Sequence, residues 1–412
     1  MQPLTFEASK IGKYIFNKVP EITAFFWIIK VLCTTVGETA SDFLNVNLNF
    51  GLTNTSIVMG VLLVVTLIWQ FRTKKYTPFV YWANVVLISV FGTLVTDNLT
   101  DNLNVPLEFS TIFFSTALLV TFAVWYWREK TLSIHAIDTV GREAFYWLAV
   151  LFTFALGTAA GDLYAEALGL GYATTGLIIL GIVALFTVAW RLGLNSILVF
   201  WVVYIMTRPL GASIGDFLTQ TPAHGGMGLG ATLTTLIFTA GIVGTVLYLA
   251  IFKPDVTTTE DVKEEITEEK THPHILAQVI VVALLFLIAS VGGYYWRQHQ
   301  LYVAQQAALS AAAATPGAQS SPLGDLSNFE SISQATLDSV NAGDWSSANS
   351  HANDLEYAWD HAEAQLKPLD QTAWTHVDGA IDKVLREVRA VNPNVSTAQV
   401  ALQKLLGVLG NQ

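Results

Sequence analysis

Seven carboxylates lie within or at the ends of long apolar stretches of this chain. An ionised carboxylate near the centre of a bilayer carries a penalty of about 2.5–3.5 kcal/mol on insertion scales, so we expect these side chains to face protein or water rather than lipid. Clustered oxygen ligands with few thiols or imidazoles suit a hard or borderline divalent cation, or protons. The candidate ligands are Glu38, Asp42, Asp97, Asp101, Asp162, Glu166 and Asp216.

Several of these acids occur in pairs four residues apart, a spacing that places both members on one face of a helix. Glu38 and Asp42 are one such pair, and the two other pairs begin at residues 97 and 162. Carboxylates crowded in this way cannot all stay ionised without a cation, so protons compete with the metal ion. The pattern indicates binding of manganese, magnesium or calcium, and proton-coupled antiport as the mechanism.

The elements that position these acids are predicted to be membrane helices. The chain is 52% hydrophobic and 13% charged, which does not fit a water-soluble protein of 412 residues. Its net charge of −11 includes no basic patch for nucleic acid, and its single cysteine excludes an intramolecular disulfide framework. Nine apolar runs can cross a hydrocarbon core of about 30 Å. They are 22–42, 53–71, 78–97, 110–127, 144–162, 172–190, 194–216, 229–252 and 275–296.

Basic residues alternate between successive loops and so predict the orientation of the chain. The N-terminal segment carries three lysines, and every second loop after it carries Lys or Arg while the others carry none. Because basic residues concentrate in cytoplasmic loops, the N-terminus is predicted to lie inside. Nine crossings then place the C-terminal domain outside. We expect a multi-pass protein of the bacterial cytoplasmic (inner) membrane.

Four segments share one pattern at identical spacing: FWIIKVLCTTVGETASD, YWANVVLISVFGTLVTD, YWLAVLFTFALGTAAGD and FWVVYIMTRPLGASIGD. Each has an aromatic residue, a Trp, nine residues, a Gly, four residues and an Asp. Each interval between copies holds two membrane helices, so all four copies enter the membrane in the same direction, as parallel repeats. The anchors are Trp27, Gly37 and Asp42; Trp82, Gly92 and Asp97; Trp147, Gly157 and Asp162; and Trp201, Gly211 and Asp216.

Each type of anchor residue has an expected role. The Trp residues are predicted to be interface anchors or packing residues, because an amphipathic ring is favoured at the membrane surface. The Gly residues permit close helix packing or act as hinges. Each Asp follows its Trp by fifteen residues, about 22 Å along a helix, so the four acids end at one level. An alternative is that each Asp only caps a helix end, although Ser, Thr or Asn would suffice for that.

Two basic residues fall within the motif helices. Lys30 lies one turn after the first motif Trp, and its long stem is predicted to snorkel toward the cytoplasmic side, with a counter-ion role as the alternative. Arg208 stands deep in the seventh span, and we expect it to pair with one of the motif Asp residues as an internal counter-ion. A purely structural ion pair and a site for an anionic substrate are alternatives. Pro209 removes a backbone donor and is expected to kink this helix.

Composition divides the chain into six segments. A Glu- and Asp-rich stretch and a later Ala-, Ser-, Pro- and Gly-rich stretch are typical of linkers. The segments are a cytoplasmic N-terminal segment at 1–21, an eight-span domain of four repeats at 22–253, a cytoplasmic acidic linker at 254–274, a ninth transmembrane helix at 275–297, a linker at 298–325 and an extracytoplasmic helical domain at 326–412.

The C-terminal domain is predicted to be a small antiparallel bundle of four helices. Apolar residues recur at helical spacing, with Leu355 and Trp359 on one stripe and Trp374 and Val377 on another. Pro368 is expected to begin the third helix. The predicted helices span 326–342, 345–365, 368–390 and 396–408. We expect this bundle to bind a protein partner or to form an oligomer contact.

The four Trp-to-Asp repeats resemble those of a bacterial family of internally repeated membrane-anchored proteins without an assigned activity. The resemblance covers roughly residues 20–253 and depends on the Gly-x4-Asp units that begin at Gly37, Gly92, Gly157 and Gly211. It implies an all-α integral membrane fold of four tandem parallel two-helix repeats, to which this chain adds a ninth span and a soluble helical bundle. It implies no particular activity.

The leading hypothesis from the sequence is a secondary transporter of a divalent metal cation, manganese first, that is coupled to protons. The chain contains no phosphate-binding glycine loop, no His-Glu-x-x-His helix and no nucleophile motif, so we expect neither enzymatic activity nor a cofactor. The expected partners are the lipid bilayer, the cation and protons. The alternatives are a non-transporting scaffold or sensor with a binding bundle, and a transporter of a small organic ion.

Overall fold

The structure, a computed structural model, describes residues 17–47, 50–103, 105–168, 170–219, 226–255, 275–313, 322–390 and 392–410. Most of the predicted N-terminal segment and acidic linker, and the side chains of Asp101 and Glu166, lie outside the described residues. In the described part the chain forms thirteen α-helices. The all-α fold class predicted from the sequence is confirmed.

Eight helices form the repeat domain, two from each repeat. The first helix of each pair carries the motif, and the second returns across the domain. They are α1 (Ala24–Asp42), α2 (Leu52–Arg72), α3 (Pro78–Asp97), α4 (Leu107–Glu129), α5 (Val140–Asp162), α6 (Tyr172–Arg191), α7 (Ser196–Thr219) and α8 (Gly230–Phe252). The predicted spans agree with these bounds to within a few residues.

The four motif helices pack into a closed ring. Helix α1 contacts α3, α3 contacts α5, α5 contacts α7, and α7 returns to α1. Each peripheral helix lies against the motif helix of the next repeat: α2 on α3, α4 on α5, α6 on α7 and α8 on α1. The fourth repeat therefore closes on the first, and α1 and α5, like α3 and α7, stand diagonally opposite each other across the ring.

Burial separates the ring from its periphery. The apolar windows of α3, α5 and α7 are 61–67% buried, whereas those of the peripheral helices are 11–28% buried. Peripheral helices thus expose apolar side chains along their length, which is the surface that a bilayer would cover. The ring helices at the centre are instead buried mainly by one another, as in the interior of a protein.

Among the described residues, eight helices are long and apolar enough to cross a membrane, rather than the nine predicted. Seven belong to the repeat domain and the eighth is the window Val281–Gln300. Helix α1 is not among them, because Lys30, Glu38 and a run of hydroxyl residues lower its apolarity. Since α1 packs between α3 and α7, its polar residues face protein, and the chain is a multi-pass membrane protein.

The motif glycines make the ring close-packed. A Cβ atom built on Gly37 would lie 1.9 Å from Ser89 Oγ, and one on Gly211 would lie 1.9 Å from Thr34 Oγ1. At the two other contacts the Cβ would lie 2.9 Å from Phe154 Cβ and 2.6 Å from Arg208 Cβ. In every case the neighbour stands three residues before the motif glycine of the next helix. The structure uses these glycines as packing contacts.

The Trp residues form a second cyclic layer. The aromatic residue before each Trp packs at a tilt against the Trp of the next helix, with ring centroids 5.4–6.3 Å apart and interplanar angles of 47–57°. Trp82, Trp147 and Trp201 are at most 4% exposed, so of the two predicted roles they take packing and not anchoring at the lipid interface, whereas Trp27 is half-buried. Neighbouring aromatic rings, rather than headgroups, surround their indoles. We call this end of the ring the Trp end and the opposite one the Asp end.

A ninth long helix and the C-terminal bundle complete the described chain. Helix α9 (Ile275–Ala313) runs past its predicted end at 297, because the Ala-rich sequence that follows favours helix. The bundle consists of α10 (Ser327–Ala342), α11 (Trp345–Leu366), α12 (Gln371–Val388) and α13 (Val395–Gly410). Helix α12 begins after Asp370, whose carboxylate caps it, and not at Pro368 as predicted.

The glycine contacts yield a stability prediction. Gly37→Ala inserts a methyl group against Ser89 and is expected to lower the free energy of unfolding by about 1–3 kcal/mol, because a close-packed contact must open. Adding Ser89→Gly removes the obstructing atoms and should restore most of the loss. Thermal unfolding of the purified chain in detergent measures both effects.

Gly181→Ala on the peripheral helix α6 is the control, since a Cβ there meets no atom within 4 Å. We expect it to leave stability unchanged or to raise it, because Ala favours helix over Gly. Equal effects of Gly37→Ala and Gly181→Ala would contradict the close-packed ring.

Candidate functional site

The guanidinium of Arg208 lies at the centre of the ring. It projects from α7, its side chain is 1% exposed, and its Nη2 donates to Glu38 Oε2 at 2.5 Å. The same nitrogen donates to Thr93 Oγ1 on α3. Because α3 stands diagonally opposite α7, the side chain of Arg208 must reach across the axis of the ring. The ion-pair partner of Arg208 is Glu38 and not a motif Asp as predicted, and the role of the pair as an internal counter-ion stays a prediction.

The ion pair follows from the repeat geometry. Arg208 stands three residues before its motif glycine, and Glu38 stands one residue after the glycine of α1. These two positions meet because α7 and α1 are neighbours, held close at Gly211, whose carbonyl also accepts a hydrogen bond from Thr35 Oγ1 at 3.0 Å. Thr93 occupies in α3 the position that Glu38 occupies in α1. The pair therefore depends on closure of the ring.

Lys30 is the second cation of the ring interior. Its side chain is buried, and its Nζ lies 3.5 Å from the centroid of the Phe154 ring and 4.0 Å from that of Tyr204. Phe154 belongs to α5, which stands diagonally opposite α1, so Lys30 also reaches toward the axis. The prediction that Lys30 snorkels to the cytoplasmic side is wrong, because aromatic faces inside the ring hold its ammonium group.

The predicted carboxylate ligands do not form a metal site in the part of the chain that the structure describes. Among those residues no three His, Cys, Asp or Glu side chains lie close enough to hold a metal ion. The four motif Asp residues are half-buried at the Asp end, and Glu38 is held by Arg208. Asp101 and Glu166 have side chains outside the described residues, so their part in metal binding stays a prediction.

The motif helices end in a shared local structure that sequence reasoning missed. A π-helical turn follows Asp42, Asp97 and Asp162, at Phe43–Asn47, Asn98–Asn102 and Leu163–Ala167. Such turns are rare and often mark functional positions, because a wider turn redirects side chains and carbonyl groups. The recurrence of acids four residues after the motif Asp was a signal for a common structure here, although it did not specify a π-turn.

The C-terminal bundle docks on the Asp end of the ring. Helix α11 contacts the π-turn Leu163–Ala167, and α12 contacts the π-turn Phe43–Asn47. Arg389 pairs with Glu356 in the bundle and interacts electrostatically with Asp42 of the ring. Burial alone would lower the pKa of Arg389, but these carboxylates, Glu356 first, outweigh burial and raise it. The bundle thus covers an edge of the Asp end.

A polar network at the Trp end was also missed from the sequence. Lys18 Nζ lies 2.6 Å from Glu143 Oε2, and Gln70 Nε2 donates to Glu143 Oε1 at 3.0 Å. Glu143 is fully buried at the start of α5. These three side chains come from distant parts of the sequence, and no shared motif links them. They tie the N-terminal segment to the ring opposite the bundle.

A second contact at the Trp end joins Asp255, at the start of the predicted acidic linker, to the ring. Tyr76 Oη donates to Asp255 Oδ2 at 2.5 Å and accepts from Trp82 Nε1 at 3.2 Å. Burial raises the pKa of Asp255 above its ordinary value, while the hydrogen bond from Tyr76 opposes this rise. Burial also raises the pKa of Tyr76, and the Asp255 charge adds to it.

The central ion pair leads to a stability prediction. Glu38→Gln leaves the buried guanidinium without its counter-charge, which is expected to cost about 3–5 kcal/mol of unfolding free energy. The double variant Glu38→Gln, Arg208→Met removes both charges and should recover most of this loss, as neutral replacements of buried pairs often do. Chemical or thermal unfolding in detergent measures the three chains side by side. A double variant no more stable than Glu38→Gln would contradict the assigned pair.

Comparison with known proteins identifies the repeats. The family described as Repeat of Unknown Function (DUF347) matches four times, at residues 25–76, 80–131, 145–192 and 199–254. Each match takes in one motif helix and the peripheral helix after it. No curated protein and no solved structure matches the chain. Since the four matches cover just over half of the chain and most of each motif helix, the chain belongs to this family of repeat proteins.

Proposed function

We propose that the four-repeat domain is a secondary transporter of a small ion, and that the Arg208–Glu38 pair is the charged centre that opens and re-forms during transport. One observation carries the proposal: at the centre of a ring of parallel membrane helices, a buried guanidinium pairs with a carboxylate on the neighbouring helix and donates to a hydroxyl on the diagonal helix. Intramembrane ionisable side chains that face the interior of a bundle commonly mark ion or proton pathways.

The architecture supports this reading of the pair. Parallel repeats related by an axis along the membrane normal are one of the recurrent plans of secondary transporters, with the binding site at the interface between repeats. Here the charged residues occupy one level of the ring, close to the glycine contacts. A buried ion pair contributes little net stability compared with apolar packing, so a role in binding is a better reason for it than folding.

Glu38 and Arg208 are suited to different parts in such a cycle. Arg208 stays charged at all physiological pH values and is 1% exposed, so it is the fixed charge. The Glu38 side chain is 15% exposed, so the proposal assigns it the part of proton carrier. Protonation of Glu38 would release Arg208 for another anion, or a cation could replace Arg208 as the partner of Glu38. The first exchange couples anion binding to a proton directly. The second is proton-coupled only if a proton and the cation compete for the Glu38 carboxylate.

Two classes of substrate compete for this role. A divalent cation, manganese first, is favoured by the number of carboxylates at the Asp end. It is disfavoured at the ring centre, where Lys30 and Arg208 outnumber the single carboxylate of Glu38. A small anion is favoured there for the same reason. The scaffold or sensor alternative is supported by the docking of α11 and α12 on the Asp end.

Proteoliposomes that contain the full chain and an internal pH dye test the proposal. We expect proton flux in response to an imposed gradient of manganese or of a small anion, and at least a tenfold loss of this coupling in Glu38→Gln. Which gradient drives the flux assigns the substrate class. Glu108→Gln on the peripheral helix α4 is the matched control and should leave the flux unchanged.

Two results would count against the proposal. One is full proton coupling in Glu38→Gln, which would remove the carboxylate from the cycle. The other is the absence of flux under both gradients in vesicles whose protein is correctly folded, which would favour the scaffold or sensor alternative.

A further inference from the structure

Part of the guanidinium at the ring centre lacks hydrogen-bond partners. Among the described residues, Nη2 of Arg208 donates to Glu38 and Thr93, whereas Nε and Nη1 are buried and have no partner. Buried charged donors without partners are rare in proteins, because an unmet donor costs about 1–3 kcal/mol, and more when it is charged. Two of the three nitrogens of Arg208 are therefore available to an acceptor from outside the chain.

A hydroxyl group on the diagonal helix is available in the same way. Ser89 is fully buried, and its Oγ has no partner among the described residues. It lies four residues before Thr93, so both hydroxyls stand on one face of α3 a turn apart, and Arg208 already bonds to Thr93. Ser89 and Arg208 hold equivalent positions on α3 and α7, three residues before the motif glycine, so the two residues lie at one level of the ring, with Ser89 Oγ packed against Gly37.

The charged side chains near the guanidinium indicate whether a cation or an anion would bind there. The side chains at the equivalent positions of the four helices are neutral except for Lys30, Arg208 and Glu38. Lys30 and Arg208 interact electrostatically, and each is buried. Asp42, one turn beyond Glu38, also interacts electrostatically with Glu38 and Arg208. A metal cation beside Lys30 and Arg208 would face two basic side chains, and both nearby carboxylates already interact with Arg208. An anion would instead accept hydrogen bonds from Arg208 Nε and Nη1, for which no described residue is a partner.

We infer that the ring centre binds a small monovalent anion, a halide, nitrate or short carboxylate, through Nε and Nη1 of Arg208 with help from the Ser89 hydroxyl. This inference rests on the proposed function and names the substrate class of that transporter. The anion must be small, because the motif helices are packed closely at their glycine contacts. A Cβ atom added to any motif glycine would lie 1.9–2.9 Å from the neighbouring helix. Only an ion of a few heavy atoms fits between helices packed so closely.

The ligand and Glu38 compete for one guanidinium. Both are negative and lie within a few ångströms of Arg208, so each weakens the binding of the other. Neutralising Glu38 is therefore expected to strengthen anion binding. This predicts that an anion and a proton enter the ring together, as in proton-coupled anion symport.

Titration of the purified full chain with sodium chloride, nitrate, formate and acetate tests the inference, with sodium gluconate keeping ionic strength constant. Thermal unfolding and calorimetry report binding without any need for transport. We expect saturable stabilisation by at least one of the four anions. In Glu38→Gln the affinity should rise by roughly tenfold, and the anion should restore part of the lost stability.

Two further variants test whether a change in anion binding is caused by misfolding. The double variant Glu38→Gln, Arg208→Met keeps a neutral, filled ring and should show no saturable response. Ser89→Ala keeps the ring packing and should weaken binding several-fold. The ratio of halide and nitrate affinity to carboxylate affinity in the wild-type chain then identifies the kind of anion.

The outcomes separate the inference from the proposed function. Saturable binding that requires Arg208, in a chain that shows no flux in vesicles, would support the anion site and reject transport. Flux driven by a manganese gradient with no saturable response to any of the four anions would overturn the anion site and leave transport standing. A response that persists in the double variant would also overturn it, because the anion would then bind elsewhere.

Discussion

A guanidinium in the interior of a helical membrane domain must find its counter-charge within the protein, because neither lipid nor bulk water can supply one there. In this chain Arg208 finds it in Glu38, which lies on the first motif helix while Arg208 lies on the fourth. The pair can form only if the two ends of the repeat array meet. Closure of the ring and burial of the charge are therefore mutually dependent, and the site exists because the fold is cyclic.

The repeats supply a symmetric frame and the site departs from it. Glycine contacts and aromatic packing recur at all four helix junctions, with small differences in distance. The charged side chains occupy single copies of repeated positions: Arg208 replaces the Thr, Ser or Phe of the other helices, and Glu38 replaces a Thr or Ala. Symmetric packing gives each helix fixed neighbours. The substitutions at Arg208 and Glu38 place charged groups in the interior of the ring. The bundle adds a further asymmetry by docking on the first and third π-turns.

Much of the fold could be predicted from the sequence. The shared Trp, Gly and Asp positions specified four equivalent helices, their parallel direction and nearly all of their bounds, because hydrophobic length and repeat spacing are local properties. Which helices become neighbours depends instead on contacts between residues far apart in the sequence. The match between each motif glycine and the residue three before the next glycine becomes visible only when the ring is closed, and Trp82, Trp147 and Trp201 were accordingly assigned to the membrane surface rather than to an aromatic layer.

The site was predicted less well, for the same reason. Arg208 and Lys30 were recognised as unusual, but their partners lie on helices far away in the sequence, so Arg208 was paired with the wrong acid and Lys30 was directed out of the ring. The recurring acids suggested a shared metal site from composition alone, whereas spatial clustering depends on side-chain directions at the π-turns. The network of Lys18, Gln70 and Glu143 carried no sequence pattern at all.

The most direct test of this account is an experimental density map of the full chain in a lipid nanodisc, at a resolution that shows side chains. The account predicts a closed ring of α1, α3, α5 and α7, with density for Arg208 continuous to Glu38 and reaching Thr93 on the opposite helix. A ring that is open between α7 and α1, or an Arg208 side chain directed to lipid or to a motif Asp, would contradict it.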